Sequence, residues 1–267
     1  MSANEITFPP PHGKPLGTNR AYKFSASILI PVIKAIAILD WRGSENIPAK
    51  GPAIVASNHL SYSDVFFLAH FLYKNGRAPR FIGKASLFKV PIFGQIIRAA
   101  EQIPVDRESQ DATRALDFAV AALRQGHMIG IYPEGTLTRD ENLWPMVAKT
   151  GIARLAIITK IPVIPIVAWG PEKVLPRYGK IPHLWPRTKV TYWAGTPIDL
   201  SRWYGRESDP DALIEATALI MKVLTTMLEQ LRSESAPLIP FDPHLSDLPR
   251  TGNFKKLQKN ARKKAGQ

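Results

Sequence analysis

His59 and Asp64, in the run Asn58-His59-Leu60-Ser61-Tyr62-Ser63-Asp64, are the residues whose types and spacing point most directly to chemistry. A histidine held at one ring nitrogen by a carboxylate keeps the other nitrogen free to take a proton from a hydroxyl, as a general base does. On a continuous helix, side chains five apart diverge, so the pair can meet only where the chain turns between them. The flanks supply that turn. Ala53-Ile54-Val55-Ala56 is a short apolar run bounded by Pro52, as expected of a buried strand. From Ser61 to Lys74 apolar residues recur at Val65, Leu68, Ala69 and Leu72, a helical spacing. Ser61, with Asp64 three positions on, fits the capping box that opens such a helix. His59 thus falls on a strand-to-helix turn and Asp64 in the first helical turn, where the imidazole can fold back onto the carboxylate. An Asp three after a Ser is also an ordinary cap, so the spacing leaves a catalytic and a capping reading open.

The surrounding elements alternate. Residues 36–41, 53–56, 80–83, 102–105, 128–132, 163–168 and 189–193 read as strands, and 61–74, 88–98, 111–125, 149–160 and 210–232 as helices. This rhythm predicts an α/β fold of three layers, a mainly parallel central sheet with flanking helices, with ligands gathered at strand ends. Residues 171–186, rich in Pro, Tyr and Trp, read as a loop. Residues 1–20 read as disordered, 21–250 as one domain, and 251–267 as a basic tail.

Composition narrows the classes. A chain of 267 residues with 45% hydrophobic and 21% charged residues can bury a full core. It has no cysteine, which excludes disulfides, thiolate metal ligands and a Cys nucleophile. The net charge is +13, and the last 17 residues carry six basic residues and no acid. Such a tail suits an anionic membrane or a nucleic acid. No RNP-type aromatic pattern, zinc-finger spacing or recognition helix accompanies it, which makes nucleic acid the weaker partner. Residues 27–39 (SILIPVIKAIAIL) are strongly apolar but interrupted by Pro31 and Lys34, and too short for a confident span. A membrane-associating, interfacial helix at about 22–39 fits them, with Tyr22, Lys23 and Lys34 near the headgroups. A buried core helix is the competing reading.

Further candidate segments fall at other strand ends: Lys84 with Leu87, Pro91 and Gly94; Asp106-Arg107; and Tyr132-Pro133-Glu134-Gly135-Thr136. With these, the chain resembles the glycerolipid acyltransferase family typified by 1-acyl-sn-glycerol-3-phosphate acyltransferase, over roughly residues 36 to 200. The matching blocks are Asn-His-x-Ser-x-x-Asp at 58–64, Lys-x-x-Leu-x-x-x-Pro-x-x-Gly at 84–94, and Asp-Arg at 106–107. They continue with Pro-Glu-Gly-Thr at 133–136, Lys-x-Gly at 149–151 and Val-Ile-Pro at 163–165. His-x4-Asp alone is a weak signal; the set in this order is a strong one.

The resemblance implies that His59 deprotonates the acceptor hydroxyl while Asp64 fixes its tautomer and stabilises the imidazolium. It implies an acyl thioester of CoA or of acyl carrier protein as co-substrate, with no metal and no further cofactor. Arg107, with Lys84 as second candidate, would clamp a phosphate; a salt bridge between Arg107 and Asp106 is the plainer alternative. Glu134, Gly135 and Thr136 would form the acceptor-binding loop, Glu134 binding a glycerol hydroxyl or tying down a cation. The family's block usually continues Glu-Gly-Thr-Arg, whereas this chain has Leu137, leaving Arg139 or Lys149 to supply that contact. The expected reaction is acyl transfer to lysophosphatidate, giving phosphatidate, at the cytoplasmic side of the cell membrane, with the protein peripheral or monotopic. The alternatives are the same chemistry on glycerol 3-phosphate, another lysophospholipid or a glycolipid, and a non-catalytic binder of anionic membranes.

Overall fold

The structure is a computed structural model describing residues 8–105, 111–243 and 245–246. Its strands are β1 (Ala37–Arg42), β2 (Ala53–Ser57), β3 (Arg80–Lys84), β4 (Ile103–Val105), β5 (Met128–Ile131), β6 (Val163–Trp169) and β7 (Thr188–Ala194). Its helices are α1 (Arg20–Ile36), α2 (Asp64–Lys74), α3 (Phe93–Ala99), α4 (Asp111–Arg124), α5 (Gly151–Thr159), α6 (Pro171–Val174) and α7 (Pro210–Arg232). All seven predicted strands form, each end within one residue of its expected place.

The strands make one sheet in the order β1-β7-β6-β2-β5-β3-β4. The five from β6 to β4 are parallel, so their carboxyl ends lie along one edge. β7 is antiparallel to β6 and parallel to β1, so these two strands begin at that same edge.

Alternation along the strands sorts side chains between two cores. Ile54 and Ala56 pack with α4, α5 and α7; Ala53 and Val55 pack with Phe67, Leu68 and Phe71 of α2 and Ile33 of α1. The three-layer arrangement follows. α7 starts where Asp209 accepts from the N–H groups of Asp211 and Ala212, with Pro210 at the first helical position.

Three local expectations are corrected. The stretch read as a helix over 88–98 is a 3-10 turn, Ala85–Lys89, followed by α3. Pro91 disfavours helical geometry at Val90 and offers no N–H, so the chain breaks there. Residues 171–174 form the short α6 inside the expected loop. Residues 8–19, read as disordered, lie along the domain. Phe8 packs edge-on to Phe118 and His127, His127 Nε2 meets Pro9 O at 2.8 Å, and Arg80 Nη1 donates to Gly17 O at 2.8 Å. The extended segment thereby supplies acceptors for donors buried at the domain surface. Residues 1–7 and the basic tail 251–267 lie outside the described residues.

α1 buries Tyr22, Ala26 and Ile33 but leaves Phe24, Ile28, Leu29 and Val32 in solvent. Asn19 caps its first turn by accepting from Tyr22 N at 2.9 Å and ties it to the end of α3 through Ala99 O at 2.8 Å. Among the described residues, no helix is long and apolar enough to cross a membrane.

Candidate active site

His59 and Asp64 meet as the turn requires: His59 Nδ1 lies 2.9 Å from Asp64 Oδ2. The capping box, however, is only half formed. Asp64 Oδ2 accepts from Leu60 N at 2.5 Å and Ser61 N at 2.9 Å, the acidic half of the motif. Ser61 Oγ instead takes Ser63 N at 3.0 Å and donates to Leu175 O at 2.6 Å. Residues 60–63 therefore wrap around the carboxylate, and the helix begins at Asp64 rather than at Ser61. Asp64 is fully buried, whereas the His59 side chain keeps 18% of its surface. A carboxylate is acceptor-only, so Nδ1 carries the proton and Nε2 presents a lone pair.

The corner is anchored from both sides. Asn58 pairs with Ala168 twice, donating through Nδ2 at 3.0 Å and accepting the Ala168 N–H at 2.8 Å, which locks it to the end of β6. Tyr192 donates to Asp64 O at 3.0 Å. Tyr132, beyond the end of β5, stacks on the imidazole with ring centroids 4.0 Å apart, and Phe81 stacks on Tyr132 at 6.3 Å. Gly130 makes that stack possible: a Cβ there would lie 2.5 Å from the Phe81 ring.

Glu134 faces this corner and is buried. Its Oε1 accepts His59 N at 3.1 Å and its Oε2 accepts Met146 N at 3.2 Å, while Thr138 N donates to His59 O at 2.8 Å. Both backbone polar groups of His59 are thus held by the 134–138 segment. Burial pushes the Glu134 carboxyl up to about 8; nearby Asp64 adds to this, and the Met146 and His59 N–H groups oppose it. Gly135 adopts φ +71, a conformation that favours glycine. A Cβ there would touch the Lys149 stem at 3.4 Å, so Lys149 lies across this turn.

Leu137, at the departure from the family's block, is buried, so this position contributes to packing. Arg139 is also buried, and both its guanidinium and Thr136 act on the Tyr178 hydroxyl. Tyr178 stands edge-on to Tyr62 at 6.1 Å, and Arg177 Nη1 donates to Thr138 O and Asp140 O at 2.8 and 2.6 Å. Arg177 and Tyr178 went unnoticed in the sequence because nothing in their spacing relates them to residues about forty positions earlier; the aromatic-rich loop was the only hint. Lys84 is exposed at the end of β3, paired in register with Val105 of β4. Arg107, two residues on, lies outside the described residues.

An apolar cavity of about 200 Å³ opens beside the corner. Val65 and Phe66, directly after Asp64, begin one wall, and Phe81 closes the side nearest Tyr132. Ile30 and Ile33 of α1 and Phe93 and Ile96 of α3 form the rest. His70 also lines it; both its ring nitrogens lack a hydrogen-bond partner, and burial holds its pKa down to about 4.

Known proteins are similar to this chain. A 1-acyl-sn-glycerol-3-phosphate acyltransferase of Bacillus subtilis is 26% identical over 216 residues, covering 79% of this chain and 100% of that protein. The chloroplastic enzyme BAT2 of Brassica napus, described by the same activity, is 30% identical over 139 residues, 51% of this chain. The chain spans only 39% of the length of that plant relative. The crystal structure of the 1-acyl-sn-glycerophosphate (LPA) acyltransferase PlsC from Thermotoga maritima superposes with a TM-score of 0.57 at 22% identity, covering 82% of this chain and 86% of that one. That likeness establishes the fold. Residues 39–169, which hold the His59–Asp64 corner and the Glu134 loop, match the Acyltransferase family model.

Proposed function

We propose that the chain transfers an acyl group from a thioester of CoA or acyl carrier protein to the free hydroxyl of lysophosphatidate, with His59 as general base. The observation that carries this reading is the oriented imidazole: Nδ1 is held by Asp64 at 2.9 Å, and Nε2 is left as an acceptor. The acceptor oxygen attacks the thioester carbonyl as Nε2 takes its proton. The tetrahedral intermediate then collapses, expelling the thiolate, to which the imidazolium can return that proton. A thiol of pKa about 8.5 leaves readily, so a strong general acid is not required. With no cysteine in the chain, direct transfer needs no Cys-bound intermediate.

The apolar cavity beginning at Val65 is suited to the acyl chain, since its wall starts directly after Asp64 and it is lined almost wholly by hydrocarbon. On the other side, Arg139, Lys149 and Thr136, with Lys84 at the end of β3, are suited to supply positive charge and hydroxyl for a phosphate. The exposed apolar face of α1 and its acid-free sequence suit the surface of an anionic membrane.

Leu137 supports a second reading, the same chemistry on another acceptor, because the cation usual at that position is replaced by a packed side chain. A panel of acceptors, offered with an acyl thioester while thiol release is followed, separates the two. Lysophosphatidate is expected to give the fastest release. Release no faster than hydrolysis would remove the first reading, and faster release with a different lysolipid would install the second.

A further inference from the structure

Between α6 and β7 the chain runs through residues 175–187, a segment the acyl-transfer reading uses only at its first end. That end is seated on the site through Arg177 and Tyr178. The other end is fastened to α1: Arg187 Nη2 donates to Lys34 O at 2.8 Å and Ala37 O at 2.7 Å. Between them, Gly179 N donates to Pro176 O at 2.6 Å and His183 N to Val174 O at 2.7 Å. Pro176, Pro182 and Pro186 restrict the backbone further.

A segment pinned so often could have buried its apolar residues, yet every residue from 180 to 187 is exposed. Ile181 is 81%, Leu184 55% and Trp185 83% exposed. No acid occurs from Lys173 to Lys189; Lys173, Lys180 and Arg187 are exposed, and Lys189, also exposed, pairs with Asp40 of β1 at 3.1 Å. Apolar side chains led by a tryptophan, among cations and without acids, suit the boundary between water and anionic lipid. The position agrees. β1 and β7 begin at the edge where the site-bearing strands end, so the Arg187 tether lies on the active side of the sheet, against the last turn of α1.

We infer that Ile181, Leu184 and Trp185 insert into the headgroup region of an anionic bilayer as a second anchor beside α1. Through Arg177 and Tyr178 the same segment sets the height of the catalytic corner above the membrane. The inference rests on the reading that the protein works at a lipid surface, but it assigns that contact to different side chains.

Trp185 is the one exposed tryptophan of the six, so its emission reports directly. The full chain is mixed with vesicles of phosphatidylglycerol and phosphatidylcholine, the latter brominated in its acyl chains. Quenching of the wild type is expected, and Trp185→Phe should abolish the quenched component. The pair Ile181→Ser and Leu184→Ser should weaken vesicle binding by about tenfold or more. Thiol release with a short-chain, water-soluble acceptor should stay at the wild-type level. The inference is overturned if the wild type sediments with vesicles unquenched, or if the paired variant binds as well as wild type. It is equally overturned if these substitutions instead dissociate a dimer, which would make the patch a contact between copies of the chain. If no acceptor gives thiol release even with the wild type, the acyl-transfer reading fails, and the quenching still decides the anchor.

Discussion

One wall of the site is a single turn, residues 58–64, whereas the other is gathered from 132–139, 144–149 and 172–178. In the first, one carboxylate oxygen receives the imidazole and two backbone N–H groups, so the His59–Asp64 pair and the chain reversal are one object. In the second, each polar group arrives on a different element. Arg139 and Tyr178 meet across almost forty residues, and Glu134 reaches Met146 past a loop. The contrast suggests where variation can be tolerated. The turn cannot change one member without losing geometry, while the gathered wall can replace an arginine by Leu137 and still hold cations from Arg139 and Lys149 nearby.

Substitutions can break or sharpen this contrast. The largest effect is expected for His59→Ala: turnover should fall by about 10²–10⁴-fold or more, with vesicle binding intact, because proton abstraction is lost while the fold keeps its other contacts. Thiol release measured beside vesicle sedimentation checks it; retained turnover would remove His59 as the general base. Asp64→Asn should impair turnover severely and also lower stability by about 1–3 kcal/mol, since a neutral amide oxygen accepts those three donors more weakly than a carboxylate does. Denaturant unfolding tests this, and an activity loss with unchanged stability would separate the carboxylate's catalytic task from its structural one.

Glu134 tests the gathered wall through pH. Its folded pKa of about 8 lies above the usual 4.5, so between these values the folded protein keeps a proton that the unfolded chain has released. Its contribution to stability is therefore full below about pH 4.5 and is lost as pH rises to about 8. Glu134→Gln should flatten unfolding free energy against pH across that window; an unchanged slope would show that another group dominates. The smallest effect is expected for Tyr178→Phe. The KM for the acceptor should rise by about 3–10-fold with kcat little changed, the scale of one hydrogen bond. A change in kcat alone would place Tyr178 closer to the chemistry than the geometry does.

The sheet was legible because burial, on both faces in β2 and nearly throughout in β6, writes itself as short apolar runs, and each strand begins and ends within one residue of its expected place. The break at Pro91 and the late start of α2 were not, because both depend on where a carbonyl or carboxylate turns in space. The N-terminal segment 8–19 was misread for a related reason: its prolines and glycines suggest no element, and only the buried Arg80 and His127 give it something to hold.

By itself the sequence determined the strands and the His59–Asp64 pair, because burial and a single chain reversal are local properties that spacing records. Tertiary structure alone decided that Glu134 secures the His59 backbone, that Tyr132 stacks on the imidazole, and that Arg177 and Tyr178 come to the 136–140 segment. It also decided that the apolar residues of α1, α2 and α3 enclose a cavity rather than a solid core. Those outcomes depend on which strand ends become neighbours, and a parallel sheet sets that order through crossovers that leave no mark in the spacing of any one segment.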